Sequence, residues 1–120
     1  MKAYTDLSQS KKLAGILPLE SADMIYMPMM DIDSMSNSGF FNIPECYPFN
    51  EFKDSDTKPL PCWSLAALMN ILDRGALFIT PQGWACQIYA GHKAIISNYY
   101  SNPVDACYEM IIKLHEQNLL

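Results

Sequence analysis

Cys62 is the residue whose type and setting most invite chemistry. It stands in Pro61-Cys62-Trp63-Ser64, directly ahead of an apolar run with helical spacing. A thiol at a helix N-terminus faces the positive end of the helix dipole, which lowers its pKa and favours the nucleophilic thiolate. His92 follows in Gly91-His92-Lys93-Ala94-Ile95-Ile96, and a histidine brought beside a thiol can act as its base. The competing reading is structural: Cys62 and Trp63 pack the start of a core helix, and His92 sits at a turn and points into water.

Cys-Trp-Ser opening a helix, with a histidine-bearing strand later in the chain, resembles papain-like cysteine peptidases around Cys62 and His92. That resemblance implies a small cysteine hydrolase with Cys62 as nucleophile and His92 as base. The sequence departs from that pattern in two places. No run of Gln and Gly precedes Cys62 to build an oxyanion hole, and the spacing from Cys62 to His92 is short for that fold. Both residues stand as candidates, and no catalytic residue is assigned.

Metal chemistry finds less support. Cys46, Cys62, Cys86 and Cys107 contain no CxxC pair, and a zinc site needs four nitrogen or sulfur ligands drawn together. Asp31-Ile32-Asp33 begins like a calcium loop, but Met35 and Ser36 stand where an oxygen ligand and the turning glycine belong. Met24, Met27, Met29, Met30 and Met35 form a methionine-rich stretch. Thioethers can bind Cu(I), but adaptable packing or a contact surface for a partner is the favoured reading. His115 reads as a core-edge residue. No phosphate-binding glycine loop and no GxSxG occurs. The expectation is no metal and no cofactor.

Charge narrows the partners. The net charge is −5, and the cations are scattered, with only Lys11 and Lys12 adjacent. Such a chain cannot neutralise a run of phosphates, so nucleic acid is not expected. Lys2 is followed by a polar stretch where a secretory signal would place apolar residues. No segment is long and apolar enough for a bilayer. The expected setting is cytoplasmic, where the four cysteines stay free thiols, mostly buried.

These residues must be positioned by a small fold. Half of the residues are hydrophobic and 18% are charged, enough to bury a core within one domain over 1–120. Leu13, Ile16 and Leu17 share a face, so a helix is expected over 5–17, stopped by Pro18. Met24 to Met27 reads as a short strand, limited by Pro28 to a sheet edge. Residues 31–61 read as a long irregular segment with one short strand over 40–43. Its aromatics (Phe40, Phe41, Tyr47, Phe49 and Phe52) imply that it packs onto the body.

Cys62 to Leu72 reads as the second helix, with Gly75 in its stop. Leu77 to Ile79, Trp84 to Tyr89 and Lys93 to Tyr100 alternate with turns and read as an antiparallel β-meander. Asn102 as N-cap, Pro103 at N1 and Asp105 at N3 announce the last helix. The expected class is α+β. A three-stranded meander, with one or two further short strands, packs against about three helices in the order α-β-loop-α-β-β-β-α.

Three segments carry a second resemblance: Leu13 to Met24, Cys62 to Leu72 and Asn102 to Leu120. Together they resemble small proteins of gut bacteria and their phages or mobile elements, a group without an assigned activity. This implies a context and transfers no functional residue. The expected function is a non-enzymatic accessory domain that binds another protein. Met27, Met29, Phe40, Phe41, Tyr47 and Trp63 are the candidate contact residues. The alternatives are the cysteine hydrolase and a homo-oligomeric component that pairs through an exposed strand edge at Met24 to Met27 or in the meander.

Overall fold

The computed structural model describes residues 1–31, 36–47 and 58–120. The fold is α+β. Its contacts divide the chain into two compact units. One spans Asp6–Ser64, and the other joins Met1–Thr5 to Leu65–Leu120.

The Asp6–Ser64 unit begins with α1 (Leu7–Ala14). Asp6 caps it by accepting from the Gln9 amide at 2.8 Å, and the Gln9 side chain accepts from the Asp6 amide at 3.1 Å. This reciprocal pair satisfies two amides that the helix cannot. The helix therefore starts later than expected, and it ends at Gly15, ahead of Pro18. A short turn over Leu19–Ser21 leads into β1 (Met24–Tyr26), followed by β2 (Pro28–Asp31) and β3 (Ser36–Phe40). Strands β2 and β3 pair as an antiparallel hairpin. β4 (Leu60–Cys62) returns to pair antiparallel with β1.

Two sequence expectations are corrected in this unit. The stretch 31–61 contains strand structure on both sides of its middle. Of the expected strand over 40–43, only Phe40 is in a strand, as the last residue of β3. Phe49 and Phe52 lie outside the described residues. The second correction concerns Met24 to Met27, expected as a sheet edge. β1 is flanked by β4 on one side and by Glu45 on the other. Ile25 donates to the Glu45 carbonyl at 2.9 Å and accepts from the Glu45 amide at 2.8 Å.

That arrangement also explains Pro61. Ile25 faces Pro61 in the β1–β4 register, but both backbone groups of Ile25 point to Glu45. The Ile25–Pro61 position is thus a non-hydrogen-bonded rung, and a proline without an amide hydrogen fits there. Leu60, Pro61 and Cys62 are all buried, and α1 packs on β4. A three-residue strand without alternation between faces carries no period-2 signal, so it reads as a helix start.

The second unit carries the regular elements: α2 (Leu65–Ile71), β5 (Ala76–Thr80), β6 (Gly83–Ala90), β7 (Lys93–Ile96) and α3 (Pro103–Glu116). The three strands form an antiparallel sheet in sequence order, as the turn spacing predicts. α3 packs on β6, and α2 packs on α3. Asn102 caps α3 by accepting from the Asp105 amide at 2.9 Å, with Pro103 in the first turn. The chain's opening residues belong here. The Ala3 carbonyl accepts from the Leu65 amide at 3.0 Å, and Lys2 Nζ meets the Asp105 carboxylate at 2.8 Å.

β7 is shorter than the expected Lys93 to Tyr100. Beyond Ile96 one backbone bond remains, from the Ser97 amide to the Cys86 carbonyl at 2.9 Å, joined by a side-chain bond and one bridge. Ser97 Oγ accepts from the Cys86 amide at 2.9 Å, and Trp84 and Tyr100 exchange backbone bonds of 2.7 and 2.8 Å. Gly83 permits that bridge. Its φ is +132°, and a Cβ there would lie 2.5 Å from the Tyr100 carbonyl oxygen.

Candidate functional site

Among its described residues, the Asp6–Ser64 unit displays an apolar ridge over 41–47. Phe41 is 54% exposed, Ile43 76% and Tyr47 47%. These fractions matter because the backbone beneath them is fixed. The Phe41 amide donates to the Met27 carbonyl at 3.0 Å, the Ile25–Glu45 pair holds the middle, and the Tyr47 amide donates to the Glu45 carbonyl at 3.0 Å. Pro44 is buried between the exposed side chains and pins the segment. Cys46 is the exposed cysteine, and it lies on this ridge.

The other candidate contact residues spread differently. Met27 and Met29 are half-buried. Phe40 is half-buried too, and Lys11 Nζ lies 5.9 Å from the centre of its ring, within cation–π range. Trp63 is 0% exposed, and its indole N–H donates to Ser21 Oγ at 2.9 Å. A large ring with a satisfied polar tip belongs to a core, so Trp63 offers no contact surface in this conformation. Beside it, the Ser64 amide donates to Asp23 Oδ1 at 2.9 Å, and the Ser64 hydroxyl donates to Asp23 Oδ2.

Cys62 ends β4 and does not open a helix, because α2 begins at Leu65. The helix-dipole argument for a lowered thiol pKa therefore loses its premise. The thiol is also 0% exposed. His92 is exposed in the tight turn between β6 and β7, where Gly91 takes a φ of +67°. Cys62 and His92 belong to different units.

Sequence reasoning missed two features. Ile43 is the most exposed member of the ridge, yet it carries no aromatic ring and drew attention only as part of an expected strand. The second feature is a cavity of about 310 Å³ in the C-terminal unit. Ile71, Ile88, Leu114 and Leu119 line it, with Asp73 and Arg74 as its charged members. Its walls come from four separate stretches of chain, so no local pattern announces it. The volume sits at the lower bound of small-molecule sites.

Two thiols in the same unit have displaced pKa values. The hydrogen bond with Cys86 pushes Cys107 far above its ordinary 9.0, and burial and the charge of an ionised Cys86 add to this. The same bond lowers Cys86, against the opposing effect of burial. Among the described residues, no three His, Cys, Asp or Glu side chains gather as a metal-ligand cluster, and no helix is long and apolar enough to cross a membrane.

Compared with known proteins, the chain matches no family model, no curated protein and no solved structure.

Proposed function

We propose that this chain is a non-enzymatic accessory domain that binds another protein through the ridge at 41–47. The observation that carries the reading is a set of three large apolar side chains held outward by a hydrogen-bonded backbone. Exposed apolar groups are ordinary when scattered singly, but Phe41, Ile43 and Tyr47 lie within seven residues of one pinned segment. A fixed backbone also removes much of the ordering cost that binding would otherwise meet. Aromatic anchors of this kind dominate protein interfaces. The resemblance to small proteins of gut bacteria and their phages or mobile elements fits an accessory role, and we place that role in the cytoplasm.

A photo-crosslinking residue at position 43, with a control at the exposed Asn70 on α2, tests the reading in cells that produce the chain. The expected result is a discrete protein adduct from position 43 alone, which disappears when Phe41→Asp is added. An adduct of twice the chain's mass would make the partner a second copy. Equal labelling from both positions, or none from position 43, overturns the proposal.

A further inference from the structure

Three sulfur atoms meet inside the C-terminal unit, each from a different element. Cys86 is on β6, Cys107 on α3 and Met69 on α2. Both cysteines are 0% exposed, and their thiols are hydrogen-bonded to each other. Cys107 Sγ also contacts Met69 Sδ at 3.5 Å.

The strand beneath them is well fixed. Ser97, 4% exposed, accepts from the Cys86 amide and donates its own amide to the Cys86 carbonyl, each at 2.9 Å. Gly75, half-buried, lies beside Cys86, and a Cβ there would stand 3.6 Å from Cys86 Sγ.

We propose that Cys86, Cys107 and Met69 form a binding site for a soft monovalent metal ion, Cu(I). This goes beyond the protein-binding reading and rests on different residues. Thiolate and thioether sulfur together are the donor set that selects Cu(I). Zinc is a poor fit, because it takes four ligands. Metal–sulfur bonds of about 2.3 Å put the three sulfurs of a trigonal site about 4 Å apart. The 3.5 Å between Cys107 and Met69 approaches this spacing, so that pair needs only a small outward shift.

Binding breaks two S–H bonds and forms two copper–thiolate bonds, and the two protons pass to water. The thioether adds as a neutral donor. Neither copper nor sulfur changes oxidation state, and the site goes from neutral to one negative charge.

Anaerobic titration of the reduced full chain, with Cu(I) supplied by a competing chromogenic chelator, reads the affinity and the stoichiometry. The expected result is one ion retained per chain. Cys86→Ser and Cys107→Ser should each weaken binding about 100-fold, and Met69→Leu about tenfold. Cys46→Ser removes the exposed thiol and should leave binding unchanged. Failure to hold copper against the chelator overturns the site, and so does loss with Cys46→Ser but not with Cys86→Ser. Should the serine variants fail to fold, X-ray absorption of the unsubstituted copper-loaded chain decides. Three sulfur neighbours at about 2.3 Å support the site, and nitrogen or oxygen neighbours overturn it.

Discussion

The two units reach a packed interior by different routes. In the C-terminal unit, an eight-residue strand and a fourteen-residue helix carry the packing, and each strand pairs with its neighbour in sequence. In the Asp6–Ser64 unit the strands have three to five residues. β1 takes its partners from Glu45 and from Leu60–Cys62, far along the chain. A long element makes many local contacts before any distant one forms. A three-residue strand has almost no stability alone and depends on what packs over it. The second unit should therefore tolerate the loss of one contact better than the first.

Replacing Trp63 tests that contrast most severely. It is the largest fully buried side chain, and its ring sits directly after the short β4. Trp63→Ala should destabilise the protein by about 3–5 kcal/mol, from lost burial and the cavity left behind, and it leaves the Ser21 hydroxyl without its donor. Equilibrium denaturation measures the change. A loss below about 1 kcal/mol would break the comparison, because the short strands would then stand without their central ring.

The glycines make a matched pair across the two units. Gly83 and Gly39 have nearly the same φ, +132° and +129°, but a Cβ on Gly83 would meet the Tyr100 carbonyl oxygen at 2.5 Å. On Gly39 the nearest atom is Met29 Cε at 3.9 Å. Gly39→Ala carries only the backbone strain, about 1–3 kcal/mol. Gly83→Ala adds a clash with main chain that cannot turn aside, so it should cost more than Gly39→Ala. It should also open the Trp84–Tyr100 bridge, visible as faster amide exchange at both residues. Equal costs would show that Tyr100 is free to move away.

The same contrast decides what the sequence reveals. The meander and α3 are legible because their signals are local: turn residues between alternating runs, then Asn102, Pro103 and Asp105 in capping order. β4 is not legible. Leu60, Pro61 and Cys62 form a strand only because Ile25 directs its backbone groups to Glu45 and leaves a rung that proline can occupy. Cys62 and Trp63 accordingly read as a helix start, and the candidate nucleophile inherited that error. The exposure of the ridge at 41–47 was legible only in part. Phe41 and Tyr47 stand out as aromatics in a loop, but the Ile25–Glu45 pair that displays them joins residues with no shared pattern. The sulfur cluster is hidden for the same reason. Cys86, Cys107 and Met69 each look like ordinary core positions, and only the packing of α2, α3 and β6 brings them together.

The smallest expected effect is a pH dependence that belongs to the C-terminal unit. Burial raises the Tyr100 hydroxyl above its ordinary 10.0, and the charge of Glu109 raises it further. Glu109 is itself held by the Asn98 amide and side chain at 2.6 and 2.8 Å. A group whose pKa is higher in the folded state favours folding in its protonated form. Its contribution is complete below the unfolded value and disappears as the pH rises through the folded one. Cys107 acts in the same direction from 9.0 upward, whereas Cys86, shifted down, adds stability only as the pH rises toward 9.0. The melting temperature should therefore hold to about pH 9 and decline above it. Tyr100→Phe removes one titrating group and should flatten the decline between pH 10 and 11 without changing its onset. An unchanged slope in that variant would transfer the whole alkaline effect to the Cys86–Cys107 pair, and a double serine variant should then abolish it.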